Sequence, residues 1–210
     1  VYMLPLILKP LKDRYPGIDV EVSTGPGNHL IADLKAGNVD FVFLPYWNQI
    51  KDIVQVQIVE EELILVAAKG YLPEDCFLDR EKKIINWRET AKLPLITLKK
   101  GHALRSSVDV LYANAELKPD IFFESHSNML SYRLAAQGLG VAVIPEITLE
   151  LMEGGMEAET YHLSGTPVQW PVMALYREGC YIGEVEQALL DIAKETMQAY
   201  KKRLWDSFIK

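Results

Sequence analysis

Cysteine is scarce in this chain: Cys76 and Cys180 are the only two among 210 residues. They lie far apart in sequence and form no CxxC motif, so they predict neither a disulfide framework nor a thiolate metal site. A redox pair is the alternative that their number leaves open. Two ordinary thiols suit a reducing compartment, and we therefore expect a cytoplasmic protein.

Positively charged residues are fewer than negatively charged ones in this chain. Lysine and arginine number 22 against 29 aspartates and glutamates, which gives a net charge of −7. An acidic surface repels the phosphate backbone of nucleic acids. We therefore expect any contact with DNA to come from a segment outside these residues.

Sequence features of membrane proteins and of common enzyme families are also missing. No uncharged apolar stretch approaches the roughly 20 residues of a membrane-spanning helix, and no signal peptide is evident. The sequence has no P-loop and no GxSxG motif, and its four histidines follow no metal-ligand spacing. We expect no membrane association, metal, cofactor or enzymatic activity. The acidic run at 60–62 is predicted to be a solvated face.

Helical and strand-like hydrophobic patterns alternate along the chain, which favours an α/β fold with mainly parallel sheets. Predicted helices lie near 4–15, 30–36, 104–115, 128–137 and 183–203. A further short helix is predicted to begin near Trp87, capped by Asn86 with Glu89. Predicted strands lie near 18–22, 41–44, 53–59, 63–68, 95–98, 121–124, 141–144, 159–163 and 168–176. The strand–helix–strand rhythm occurs twice and predicts two lobes, residues 1–67 with 170–210 and residues 68–169.

Two stretches carry a family signature. The first is residues 4–18 (LPLILKPLKDRYPGI) followed by 34–42 (LKAGNVDFV), and the second is residues 127–145 (SNMLSYRLAAQGLGVAVIP). Between them, residues 95–101 (LITLKKG) lie where the same family has a strand and loop. Each motif alone is weakly specific, but their order and spacing resemble the effector-binding domain of LysR-type transcriptional regulators over nearly the whole chain.

The resemblance implies a periplasmic-binding-protein type 2 fold, with two Rossmann-like lobes joined by crossing hinge strands and a small effector in the cleft. It also implies a homodimer or homotetramer that contacts DNA through an N-terminal winged helix-turn-helix. That module and the family's leading strand are not in this sequence, so we expect a fragment. An extracytoplasmic solute-binding protein of a transporter, or an enzyme on the same fold, would share this architecture.

Most candidate ligand-binding residues lie where predicted strands pass into helices, because free amides at helix N-termini favour anions. Tyr46 instead follows the predicted strand at 41–44, where it could form an apolar wall of the cleft. The eight candidates are Gly25, Asn28, Tyr46, Thr97, Gly101, His102, His126 and Ser127. Arg105 is expected to favour an anionic ligand together with His102. The ligand is expected to be a small anionic metabolite.

Each candidate also has an ordinary structural explanation. Asn28 and Ser127 are good helix N-caps, and Tyr46 suits hinge packing as well as a cleft wall. Lys99 and Lys100 are expected to form a solvated basic loop. Two further glycines, 138 and 140, are assigned to a helix end and a tight helix-to-strand passage.

Overall fold

The fold is known from a computed structural model that describes residues 3–45, 48–151, 158–165 and 170–208. The chain divides into two compact units. The first comprises Val1–Glu60 and Pro171–Lys210, and the second comprises Glu61–Trp170.

Helices and strands occur in both units. Helices α1 to α5 span Leu4–Arg14, Gly27–Ala36, Ala103–Asn114, Asn128–Ala136 and Glu184–Phe208. Strands β1 to β10 span Val42–Pro45, Ile53–Glu61, Leu63–Ala68, Phe77–Asp79, Ile84–Ile85, Pro94–Leu98, Asp120–Ser125, Val141–Pro145, Ala158–Leu163 and Trp170–Arg177. Short 3₁₀ turns span Glu74–Cys76, Glu89–Lys92 and Glu146–Leu151. None of the helices described is long and apolar enough to cross a membrane.

The first unit has a three-stranded sheet in the order β1-β10-β2, with β1 antiparallel to β10. Its core contains Leu34 from α2, which packs with Val42, Leu44 and Leu175 from the strands. Helix α2 ends at Gly37, as the sequence predicts, because this residue adopts a φ of +82° that favours glycine.

The strand predicted at 18–22 does not form, so that prediction is wrong. These residues are irregular, and Val20 and Val22 are 43% and 46% exposed. Alternating hydrophobic residues favour a strand, but a strand also needs a neighbouring backbone to satisfy its hydrogen bonds. No such neighbour pairs with this segment among the residues described.

The second unit has a seven-stranded sheet in the order β4-β5-β9-β3-β8-β6-β7. The expectation of mainly parallel pairing is wrong, because β3 is antiparallel to both of its neighbours and β4 is antiparallel to β5. Strand β6 is parallel to β7 and β8, and β5 is parallel to β9. Helices α3 and α4 link β6 to β7 and β7 to β8, which supplies the crossover that parallel neighbours require.

The core of the second unit lies where α4 packs on the middle of this sheet. Ile64, Val66, Ile96 and Ile144 come from three central strands and are at most 1% exposed. Strands β3 and β8 are buried along almost their whole length. Such strands read in sequence as continuous apolar runs, which is why their positions could be predicted well.

Two glycines connect α4 to β8, and both predictions about them are confirmed. Gly138 has a φ of +78°, and its amide donates to the carbonyl of Ala135 at 2.9 Å. Gly140 lies so close to β6 that an added Cβ would be 2.3 Å from the carbonyl oxygen of Pro94. The passage from helix to central strand therefore has no room for a side chain at residue 140.

The acidic run at 60–62 is only partly a solvated face. Glu60 and Glu62 are exposed, but Glu61 is 2% exposed, and its carboxylate accepts a hydrogen bond from the amide of Ile147 at 3.0 Å. The expectation is therefore wrong for Glu61. Alternation along β2 turns the last side chain of the strand inward, and a buried carboxylate needs such a donor.

Two further local predictions concern the segment after Asn86 and the two cysteines. Near Asn86 the chain forms a 3₁₀ turn over Glu89–Lys92 in place of the predicted short helix, and the Asn86 side chain accepts from the amide of Arg88 at 3.3 Å. Cys76 is buried, Cys180 is half-buried, and both are free thiols.

Candidate ligand-binding site

Five of the eight candidate residues lie at one edge of the second unit. Strands β6 and β7 run parallel, with Thr97 opposite Glu124 and Leu98 opposite Ser125, so their carboxyl ends meet at the same place. Thr97 occupies the end of β6 and is 5% exposed. The other four follow these strands in the two loops that lead into α3 and α4, namely Gly101, His102, His126 and Ser127.

The loop between β6 and α3 is held by backbone hydrogen bonds. The amide of Lys99 donates to the carbonyl of Ser125 at 2.8 Å, and the amide of His102 donates to the carbonyl of Lys99 at 3.3 Å. Gly101 has a φ of +95°, which only glycine adopts at little cost. Lys99 and Lys100 are exposed, which confirms the predicted solvated loop. His102 takes the N-cap position of α3, and its carbonyl accepts from the amide of Ser106.

The loop between β7 and α4 is a serine-rich turn. The hydroxyl of Ser127 accepts from the amide of Leu130 at 3.3 Å, so the N-cap predicted at this residue is confirmed. The hydroxyl of Ser125 donates to the Ser127 carbonyl at 2.9 Å, and the Ser127 amide donates back to that hydroxyl at 3.1 Å. These bonds fix His126 between the two serines. A capping role leaves the Ser127 hydroxyl proton available to a ligand.

The two histidines of these loops contact each other. The Nε2 atom of His102 lies 3.1 Å from the Nδ1 atom of His126, and the ring centroids are 5.3 Å apart with a 56° angle between the planes. The residues are 24 positions apart in sequence. No sequence spacing indicates this pair, because the parallel register of β6 and β7 creates it.

The Arg105 side chain makes its hydrogen bonds within the protein. Arg105 is 4% exposed and donates to the Asp109 carboxylate at 2.8 Å, to the Leu98 carbonyl at 2.9 Å and to the Glu124 carboxylate. The hydrogen bond from Arg105, reinforced by the charges of Arg105, Lys100 and Lys99, lowers the pKa of Glu124 against a smaller effect of desolvation. The expectation that Arg105 attracts an anionic ligand is therefore wrong, because two carboxylates already neutralise its charge.

One polar side chain at this edge was not among the candidates. Asn128 is the first residue of α4, and its buried Oδ1 atom has no hydrogen-bond partner within the described part of the chain. Buried polar atoms are normally satisfied, so this acceptor is an exception at the beginning of α4. The only signal in the sequence was that Asn128 directly follows the Ser127 cap. An ordinary first residue of a helix occupies the same position.

The remaining three candidates lie elsewhere in the chain. Gly25 is exposed in the loop before α2, with nothing within 4 Å of an added Cβ. The cap predicted at Asn28 is wrong, because α2 begins at Gly27, directly after Pro26 and one residue before Asn28. The extended backbone of that proline, with φ −58° and ψ 139°, occupies the N-cap position. Tyr46 lies outside the described residues.

Comparison with known families supports one assignment. The family model named LysR substrate binding domain matches residues 1–198. This chain belongs to that family. The α/β sheets and the helix-to-strand passage through Gly138 and Gly140 agree with the resemblance seen in the sequence.

A curated relative of this LysR substrate-binding domain is a longer protein. The chain is 28% identical over 145 residues to the uncharacterized HTH-type transcriptional regulator YybE of Bacillus subtilis (strain 168). The match covers 69% of this chain and 48% of the relative, so the chain spans about half the length of that protein.

Two solved structures share the LysR substrate-binding fold. The effector binding domain of QuiR in complex with shikimate has a TM-score of 0.72 at 19% identity, covering 91% of this chain and 88% of that one. The regulatory domain of CcmR from Synechocystis PCC6803 in complex with 2-PG has a TM-score of 0.77 at 19% identity, covering 92% and 90%. At this level of identity, the likeness is one of fold.

Proposed function

We propose that this chain is the effector-binding domain of a LysR-type transcriptional regulator, that it binds a small anionic metabolite, and that it is not an enzyme. The observation that carries the proposal is that the carboxyl ends of β6 and β7 lie side by side in a chain that belongs to the LysR substrate-binding family. Similar domains were solved with shikimate and with 2-PG, and a relative is named as an HTH-type regulator.

The chemistry of this edge suits an anion. Helices α3 and α4 both begin there, and the first amides of a helix carry unsatisfied N–H groups and a partial positive charge. The Ser127 hydroxyl lies 3.3 Å from the Leu130 amide of α4, and Thr97 is near the carboxyl end of β6. A hydroxyl can donate to a carboxylate or phosphate oxygen. Lys99 and Lys100 add positive charge in an otherwise acidic protein. Gly25, Asn28 and Tyr46 remain proposed ligand contacts.

Signalling follows if the effector binds two conformations of the domain with different affinities. Such a ligand shifts the population towards the conformation that it prefers, by an amount set by the ratio of the two affinities. We propose that this shift acts in the cytoplasm and reaches DNA through a separate N-terminal helix-turn-helix. The net charge of −7 makes these residues themselves a poor DNA-binding surface.

A second copy of the chain is the proposed protein partner, in a homodimer or homotetramer. Strand β7 is an edge of the seven-stranded sheet, and Ile121, Phe122 and Phe123 on it are 37%, 57% and 40% exposed. On the neighbouring helix α3, Val110 is 55% exposed. An open strand edge beside exposed apolar side chains favours association, and the matching surface on the other copy is proposed to include α1.

Thermal-shift measurements with a panel of small metabolites test the proposed function. Shikimate, phosphorylated acids, dicarboxylates, their neutral esters and simple cations form the panel. We expect one class of anion to raise the melting temperature in a concentration-dependent way, because a ligand that binds only the folded state stabilises it by mass action. The neutral ester of that anion should have no effect.

Variants then locate the site. Thr97→Ala should weaken binding of the stabilising anion about fivefold, in line with the roughly 1 kcal/mol of a typical hydrogen bond. Ser23→Ala, an exposed serine in the first unit, is the control and should leave the affinity unchanged. Stabilisation by cations or large apolar compounds alone would contradict the anion proposal, and conversion of the added compound to a product would contradict the non-enzymatic function.

A further inference from the structure

The contact between His102 and His126 has a use that the effector proposal does not require. Their facing nitrogens lie 3.1 Å apart at the ends of two neighbouring loops. Two nitrogens that bind one Zn²⁺ at about 2.0–2.1 Å with a tetrahedral angle lie about 3.3–3.4 Å apart. The observed separation is therefore within a few tenths of an ångström of the separation of two nitrogens on one ion. We propose that His102 and His126 form a two-histidine site for a divalent transition-metal ion.

Hydrogen bonds hold the backbone next to both histidines. The carbonyl of His102 accepts from the Ser106 amide at 3.1 Å, and the Ser125–Ser127 turn fixes the backbone on either side of His126. The amide of Lys99 donates to the carbonyl of Ser125 at 2.8 Å and ties the two loops together. Because the two backbones are fixed in this way, bringing the two ligands together for a metal costs little conformational entropy.

The charge of the neighbourhood permits a cation. Arg105 is buried nearby, but Asp109 and Glu124 are paired with it and neutralise its charge. Lys99 and Lys100 lie in the same loop as His102, and both are exposed, so solvent screens their repulsion. Their presence favours an ion that arrives with, or recruits, a negatively charged ligand.

The ligand set selects the kind of ion. Imidazole nitrogens suit Zn²⁺, Ni²⁺ and Cu²⁺, whereas Mg²⁺ and Ca²⁺ prefer oxygen ligands. Across the described residues, no cluster of three or more histidine, cysteine, aspartate or glutamate side chains could hold a metal ion. The site therefore offers two protein ligands and leaves the other coordination positions to water or to an added anion. Exchangeable binding is expected of such a site, in contrast to the permanent binding of a structural zinc.

Isothermal titration with Zn²⁺, together with visible absorption of bound Co²⁺, tests this site in the intact chain. We expect one ion per chain, nitrogen-ligand absorption bands with Co²⁺, and no competition from excess Mg²⁺. Affinity should fall at acid pH because protons compete for the same nitrogen lone pairs. Binding of less than one ion per chain, or displacement by Mg²⁺, would overturn the proposal.

Three variants separate metal binding from the hydrogen bond. His102→Ala and His126→Ala should each weaken Zn²⁺ binding at least tenfold, since even outer-shell partners of metal ligands change affinity by about 10- to 100-fold. His126→Asn can place an amide where Nδ1 lies, so it keeps a hydrogen bond to His102 but loses the imidazole ligand. It should retain the wild-type melting temperature and still lose the ion.

The control is His29→Ala, an exposed histidine on α2, which should bind Zn²⁺ like the wild type. Equal loss of binding in this control, or full retention in His126→Asn, would contradict the site. The measurements use no metabolite, so a failed effector screen leaves the metal result intact, and a failed metal titration leaves the effector proposal intact.

Discussion

The Nδ1 atom of His162 on β9 lies 3.3 Å from the Oε2 atom of Glu62, the residue that separates β2 from β3. This hydrogen bond is the largest of the effects that raise the pKa of His162. The negative charges of Glu62 and Glu146 also raise it, whereas desolvation lowers it. The His162 side chain is 25% exposed and that of Glu62 is 48% exposed, so solvent screens part of the interaction.

This pair predicts a pH dependence of stability. A raised pKa in the folded state means that the folded protein binds the proton more tightly than the unfolded chain. The resulting stabilisation is complete below the ordinary histidine pKa of about 6.5 and is lost as the pH rises through the raised value. His162→Gln should remove this component, about 0.2–1 kcal/mol for a partly exposed pair.

Urea unfolding at several pH values between about 5.5 and 8.5 measures the effect as the difference between wild type and variant. The difference in free energy of unfolding should shrink as the pH rises. His29→Gln is the matched control because His29 is exposed on α2. A difference that stays constant over the whole range would show that His162 does not titrate in this way.

Substitution of Gly140 should destabilise the second unit. Gly140→Ala places a Cβ 2.3 Å from the carbonyl oxygen of Pro94, at a φ of +155° that side chains rarely adopt. Strand β6 must move away from β8, and we expect a cost of roughly 1–3 kcal/mol or more. The control is Gly70→Ala, whose φ is +70° but whose Cβ meets nothing within 4 Å. A denaturant midpoint no lower for Gly140→Ala than for the control would contradict the steric argument.

Removal of Arg105 should loosen the candidate site. Arg105→Met keeps the apolar stem but leaves Asp109, Glu124 and the Leu98 carbonyl without their shared donor. We expect about 1–3 kcal/mol of destabilisation, typical of lost hydrogen bonds to a charged group. Lys9→Met is the control: its helix-surface partner Asp13 is exposed, so the melting temperature should hardly change. Similar melting temperatures for the two variants would refute a structural role for Arg105.

The cap of α4 can be separated from ligand binding. Ser127→Ala should cost about 1 kcal/mol, because the amide of Leu130 loses its acceptor. Ser127→Asn keeps a good cap and should restore stability. If the Ser127 hydroxyl also donates to the effector, the asparagine variant will be stable and yet bind the anion more weakly. Wild-type affinity in both variants would remove Ser127 from the site.

The proposed self-association depends on the β7 edge. Phe122→Asp introduces a charge at a side chain that is 57% exposed, and it should shift the chain towards monomer at concentrations where the wild type associates. Leu78→Asp is the control, since Leu78 is 62% exposed on β4 at the opposite edge of the same sheet. Sedimentation velocity measures both. Dissociation caused by Leu78→Asp and not by Phe122→Asp would place the interface on the wrong edge.

Sequence patterns predicted most helices and strands because each depends on local information. The apolar runs of β3 and β8 and the helix-ending Gly138 can be read directly from neighbouring residues. The strand expected at 18–22 failed because its formation depends on a partner elsewhere. The parallel order expected for the sheet failed for the same reason, since β3 pairs with strands far away in the chain.

The candidate site likewise has features that local sequence predicts and features that depend on strand pairing. Its loops, its glycine turn at Gly101 and its cap at Ser127 could be predicted from residue types next to a strand end. The neutralisation of Arg105 could not, because one of its partners, Glu124, lies on the next strand. Nor could the contact between His102 and His126, which are 24 residues apart.

By itself, then, the amino-acid sequence determined the family, the α/β class and the places where strands turn into helices. These follow from hydrophobic period, glycine and capping residues acting over a few positions. Tertiary structure alone decided which charges are neutralised, which acidic residue of the 60–62 run is buried, and which two imidazoles meet. The physical reason is that strand register brings distant residues within hydrogen-bonding distance, and register is a property of the whole sheet.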